Sequence, residues 1–203
     1  MKIVQEFFIT SDIGFQILVP HVQDKLNYYY KPTEALNKFD EVSVILTVYG
    51  ESYTVITDSI QVVVCNLYHS LQRTLLHEKP LPSCVPVGFL NAALSDDNYK
   101  NCWRDDGSPR KESVEYQQFW LWSTAGDMQS WMYNHDEAIY LEIGRTYIIP
   151  EDQEQPDDND FRNYIAHYKP LLLTKITSAI AQNWLEKCKK IILEIDSAYE
   201  LTV

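Results

Sequence analysis

Two runs rich in β-branched and aromatic residues, 3–9 and 15–19, flank the polar stretch Ser11-Asp12-Ile13-Gly14, a pattern that predicts an opening β-hairpin. Beyond Tyr28, Tyr29, Tyr30 and Pro32, strand-like runs at 42–49 and 52–56 flank Gly50-Glu51 and predict a second hairpin, completing one antiparallel sheet. The period then changes. Ile60, Val64, Leu67, Leu71 and Leu75 recur at three to four residues and predict a helix over 58–78, with Thr57 or Asp58 as its N-cap. Lys79-Pro80-Leu81-Pro82 must stop it, because proline lacks the amide donor and forces extended backbone on the residue before it.

Periodicity is weak from 83 to 114, where Pro86-Val87-Gly88, the polar run Ser95-Asp96-Asp97-Asn98 and Arg104-Asp105-Asp106-Gly107-Ser108-Pro109 read as a linker or surface excursion, with one short helix at 87–94. Strand patterns resume at 118–122, 128–133 and 138–147, the last two joined by Asn134-His135-Asp136-Glu137 as a hairpin turn. The loop 151–160, a helical piece at 161–168 and a strand at 171–176 lead to the closing helix, 178–196. Thr177 or Ser178 caps that helix, and Ile180, Trp184, Cys188, Ile191 and Ile195 form its apolar face.

The expected fold class is therefore α+β, mostly antiparallel sheet in two strand-then-helix halves, each sheet covered by a long amphipathic helix. The halves are 1–82 and 115–203, separated by 83–114, and the length allows them to pack as one domain or two. Helix 58–78 is expected on the first sheet and helix 178–196 on the second. The halves share this order without a residue-level repeat.

Charge narrows the function classes. The chain carries 29 acidic against 17 basic residues, a formal charge of −12, and so is repelled on average by nucleic-acid phosphates and anionic lipid headgroups. The densest basic cluster, Lys187, Lys189 and Lys190, reads as the solvated face of the closing helix, so no direct nucleic-acid contact is expected. Cys65, Cys84, Cys102 and Cys188 form no C-x-x-C pair and no zinc-ligand spacing with a histidine, which points to free thiols in a reducing compartment. Gln5 and Glu6 interrupt the first apolar run before it reaches signal-peptide length, and no apolar stretch approaches the roughly 18 residues of a membrane span. A cytoplasmic protein that does not touch membranes is the expectation.

Candidate chemistry is sparse. His135-Asp136-Glu137 has the composition of an oriented general base but falls within a predicted turn, where such residues serve local hydrogen bonding. His69 and His77 lie about two helical turns apart with no carboxylate at ligand spacing between them. There is no G-x-S-x-G, P-loop or G-x-G-x-x-G, and Ser123-Thr124-Ala125-Gly126-Asp127 reads as a strand connection. No catalytic residue, metal ligand or cofactor is expected. Six carboxylates do cluster within ten positions: Glu151, Asp152, Glu154, Asp157, Asp158 and Asp160. Such a field speeds association with a basic partner. Trp120 and Trp122 share one face of a strand and Trp131 and Tyr133 one face of the next; an exposed face of this kind would supply aromatic anchors for a partner.

The stretch from Trp120 to Glu194 resembles the small cytoplasmic immunity proteins of bacterial polymorphic-toxin and contact-dependent inhibition systems. The resemblance is carried by Gly126-Asp127-Met128-Gln129-Ser130-Trp131-Met132-Tyr133-Asn134, Tyr140-Leu141-Glu142-Ile143, Tyr168-Lys169-Pro170 and Asn183-Trp184-Leu185. It covers little more than a third of the chain and nothing in the first 119 residues. It implies a protein that binds one cognate toxin, often a basic nuclease, and occludes its active surface, with carboxylates standing in for substrate phosphates. The expected contact region is the acidic run, with Trp131 and Tyr133 as anchors. Two other readings remain open: a small enzyme whose site joins His135 and Asp136 with Glu142, and a structural or oligomeric module closed by a second copy.

Overall fold

Eight strands and three helices account for most of the residues that the structure, a computed structural model, describes: 2–19, 36–81, 86–90, 117–123, 128–147 and 158–200. The strands form two separate antiparallel four-stranded sheets, each a simple meander, so the α+β class and the antiparallel pairing are as expected.

The first unit comprises Met1–Leu75 and Thr177–Val203. Its sheet runs β1 (Lys2–Phe8), β2 (Ile13–Val19), β3 (Glu41–Val48) and β4 (Glu51–Ser59). Ile13, placed by the sequence in the first turn, instead begins β2 and is buried opposite Val48. The second turn is Tyr49-Gly50, one residue earlier than expected. Both take positive φ, 49° and 88°, the twist that a two-residue hairpin requires. Helix α1 (Ile60–Leu75) starts two residues later than expected because β4 continues to Ser59, which pairs with Glu41. Ser59 is its cap, its hydroxyl accepting from the Val62 amide at 3.4 Å. Ile60, Val63, Val64, Leu67 and Leu71 are buried on α1, which packs against β3 and β4.

The closing helix departs from expectation. Helix α3 (Ser178–Glu200) belongs to the first unit, where it packs along α1, and not to the second sheet. Trp184 explains the placement. Its ring meets Phe7 edge-on at 5.7 Å and Phe15 at 5.0 Å, while Phe7 and Phe15 stack at 4.9 Å. Three buried aromatics brought together outweigh chain order as a guide to packing. Lys187 adds a hydrogen bond to the Glu6 carbonyl at 2.8 Å and lies over the Phe7 ring. The expected cap holds: the Thr177 hydroxyl accepts from the Ile180 amide at 3.2 Å.

The second unit comprises Leu76–Ile176. Its sheet runs β5 (Trp120–Ser123), β6 (Met128–His135), β7 (Ala138–Arg145) and β8 (Leu172–Ile176), with a 3-10 turn, Gln117–Phe119, before β5 and α2 (Asp158–Ala166) before β8. Short β5 pairs with only the first part of β6. Further along β6, Asn134 exchanges backbone hydrogen bonds with Lys79 (2.8 Å) and Leu81 (2.7 Å). The segment meant to end the first helix thus also satisfies part of β6. Of the expected excursion 83–114, the described part, 86–90, is packed into this unit, and 87–90 is helical, as expected of the start of the short helix there. Val87 is fully buried with Leu81, Phe119, Trp131 and Tyr133.

Candidate functional site

Strand β7 alternates. Ile139, Leu141 and Ile143 are buried on one face, while Tyr140 and Glu142 point to the other, the face shared with Trp131 and Tyr133 of β6 through the pairs Glu142 with Trp131 and Tyr140 with Tyr133. That alternation drives a carboxylate into an aromatic layer. Glu142 is fully buried.

Burying a carboxylate is costly unless its oxygens are hydrogen-bonded, and here both are. Oε2 accepts from the Val87 amide at 2.7 Å and the Tyr133 hydroxyl at 3.2 Å. Oε1 accepts from the Gly88 amide and the Tyr168 hydroxyl, both at 2.9 Å. The two amides open the helical segment 87–90, in which the Leu90 amide bonds to the Pro86 carbonyl, and so have no partner within that segment. Tyr168 reaches the carboxylate because Gly88 and Gly144 lack side chains; a Cβ at either would collide with its hydroxyl. Tyr164, one turn earlier, donates to the Arg145 carbonyl at 2.6 Å and meets Tyr168 edge-on.

Burial pushes the Glu142 carboxyl above the usual carboxylate range, opposed by the hydrogen bonds from Gly88, Tyr168, Val87 and Tyr133. Burial and the nearby Glu142 charge push Tyr133 and Tyr168 up, and Tyr164 up to about 12. All three stay protonated at neutral pH and serve as donors. A carboxylate offers about four lone-pair positions, and four donors take them. Chemically, the group is an anchor joining β6, β7, the helical segment 87–90 and the residues just after α2.

Of the proposed enzyme residues, the structure puts His135 beside Asp136 but leaves Glu142 apart from both. His135 lies four residues from Trp131, the β6 partner of Glu142, about 13 Å along the strand at roughly 3.3 Å per residue. Its Nδ1 is 3.0 Å from the Leu81 carbonyl and its Nε2 3.2 Å from Asp136. Asp136 and Glu137 are the two turn residues between β6 and β7, both in the left-handed region, with φ 46° and 61°. This is the turn role expected from the sequence.

The candidate anchors are core residues. Trp131 is 1 % exposed and Tyr133 4 %, so neither presents a surface to a partner; Tyr133 instead donates to Glu142. They are buried because Leu81, Val87 and Phe119 cover the aromatic face, a cover the strand pattern alone did not reveal. Glu151, Asp152, Glu154 and Asp157 lie outside the described residues. Asp158 and Asp160 fall in the first turn of α2, where acidic residues favour the helix macrodipole, and Asp160 is exposed.

Cys188 is buried and its thiol is pushed up to about 12, by burial and then by nearby Cys65, whose own thiol is raised by burial and Asp196. Both are held as thiols, which suits packing better than nucleophilic chemistry. Cys84 and Cys102 lie outside the described residues. Among the described residues no group of three or more His, Cys, Asp or Glu side chains could hold a metal ion, and no helix is long and apolar enough to cross a membrane.

Sequence reasoning missed Tyr168, Val87 and Gly88 as partners of Glu142, and Gly144 as the residue that makes room for Tyr168. One signal was available: a glutamate on the aromatic side of an alternating strand needs donors, and Pro86-Val87-Gly88 opens a turn with amides to spare. Comparison with protein families, curated proteins and solved structures gives no match.

Proposed function

We propose that this protein works by binding, as an acidic cytoplasmic inhibitor of the immunity class that neutralises a basic protein toxin by occupying its active surface. The observation that carries the reading is the formal charge of −12. A surplus of carboxylates steers encounter with a basic partner and can replace the phosphates of a nuclease substrate in its groove. The buried chemistry lends support. Glu142 has its lone pairs engaged by four internal donors and lies far along the sheet from His135. That weakens the competing reading of an enzyme built on these residues.

The test is a native pull-down at low and at high salt, with bound protein identified by mass. The expected result is one stoichiometric basic protein, retained less well at high salt, that is toxic when produced alone and harmless when produced with this chain. A captured protein whose toxicity is unaffected by co-production, or recovery of this chain alone from cells shown to contain the basic protein, would overturn the reading.

A further inference from the structure

We propose that the turn end of the first sheet is a docking surface for an arginine-rich face of a basic protein. The β1–β2 and β3–β4 turns lie side by side there, joined by a hydrogen bond from the Tyr49 amide to the Asp12 carbonyl at 3.0 Å. Two aromatic side chains stand in solvent at this end: Phe8, the last residue of β1, is 50 % exposed, and Tyr49, in the second turn, is 78 % exposed. Large exposed aromatics are costly to leave in water and are the residues that most often anchor protein interfaces.

Charge selects the occupant. Three acids, Glu6, Asp12 and Glu51, fall in the stretches 6–16 and 45–54 that make up this end, and no lysine or arginine does, whereas Lys2, Lys38, Asp40, Glu41 and Asp58 lie toward the opposite end of the sheet. Glu6 shares a strand face with Phe8, two residues away; Asp12 and Glu51 border the turns, Glu51 on the opposite face of the sheet, that of Ile13. Each of these three is steadied by a neighbour while keeping oxygen lone pairs for a partner. Gln16 donates to Glu6 at 2.6 Å, Ser11 to Asp12 at 3.0 Å, and the Tyr53 hydroxyl to Glu51. Carboxylates held in place beside exposed rings suit arginine better than lysine, because the guanidinium pairs with a carboxylate through two hydrogen bonds and stacks flat on an aromatic face.

The inference rests on the basic-partner reading and moves the contact from the acidic run 151–160 to the first sheet. Its test uses an octa-arginine peptide as probe, titrated into the full chain at low ionic strength while backbone amide resonances are followed. The largest shifts are expected at residues 6–12 and 49–53. The pair Phe8→Ser with Tyr49→Ser should weaken the peptide about fivefold or more, since two stacking contacts are lost. Glu6→Gln with Asp12→Asn and Glu51→Gln should weaken it and flatten its salt dependence. All five positions lie at the surface or the sheet rim, and an unchanged amide spectrum away from the substitutions confirms that the variants fold. Shifts confined to 151–160, affinity unchanged by both sets of substitutions, or no binding at all would each overturn the docking surface. None of these would decide the inhibitor reading, which the pull-down and co-production test alone.

Discussion

The Tyr168 hydroxyl donates to Oε1 of Glu142 at 2.9 Å through a slot left open by two residues with no side chain, Gly88 and Gly144. Filling the slot should break the contact. Gly144→Ala places a methyl group against the hydroxyl, so Tyr168 must move and Glu142 loses one of its four donors. The expected cost is about 2 kcal/mol or more, from overpacking plus a weakened buried carboxylate. Tyr168→Ala should cost stability alone but little more when combined with Gly144→Ala. Denaturant titration of both single variants and the double variant gives this coupling, and strictly additive costs would show that the slot does not act as described.

Glu142 also makes the second unit sensitive to pH, with a defined sign. Its folded-state carboxyl is raised above the unfolded value, chiefly by burial. The folded state therefore holds the proton more tightly, and stability from this group is fully present below the unfolded carboxyl range and lost as pH rises through the folded value. Protonation is accommodated because Tyr168 can turn from donor to acceptor. The slope for one proton is at most about 1.4 kcal/mol per pH unit. Glu142→Gln should remove that component from the pH profile of unfolding. It should also lower stability at acidic pH, because the amide nitrogen then faces a donor. A variant profile parallel to the parent's would refute the assignment.

In the first unit, Trp184 joins α3 to β1 and β2 through Phe7 and Phe15. Trp184→Ala should cost about 3–5 kcal/mol, the range for removing a buried aromatic. Hydrogen exchange should then accelerate at β1, β2 and α1. Loss of protection confined to β5–β8 would instead place the helix on the second sheet.

Which elements form was legible because each depends on local pattern. The 3.6-residue spacing of Ile60, Val64, Leu67 and Leu71 and the apolar face Trp184, Cys188, Ile191 and Ile195 both mark real helices. Where the closing helix packs was not legible. Phe7, Phe15 and Trp184 are far apart in sequence, and periodicity says which face is buried without saying against what. The same limit hid the site. Trp131 and Tyr133 share a strand face as expected, but the residues that cover it, Leu81 and Val87, come from a stretch with almost no periodicity. Glu142 could be noticed as a carboxylate on an aromatic face, while its donors lie 54 and 26 residues away at Gly88 and Tyr168.

The β6–β7 turn offers the cleanest local test, because its strain is set by two residues. Asp136 and Glu137 both sit at positive φ, 46° and 61°, although neither is glycine. Two-residue hairpins of this hand favour Asn or Asp first and Gly second, so Asp136 is well suited to its place and Glu137 is not. Asp136 has a further role beside the His135 ring nitrogen at 3.2 Å. Glu137→Gly should stabilise the protein by about 0.5–1 kcal/mol, since relief of left-handed strain outweighs the added freedom of the unfolded chain. Asp136→Ala should destabilise by a similar amount, and Glu137→Ala should change little, as it keeps a Cβ at the same φ. Midpoints of chemical unfolding for the three variants decide the matter, and a destabilised Glu137→Gly would mean that the glutamate side chain, and not the backbone angle, matters at that position.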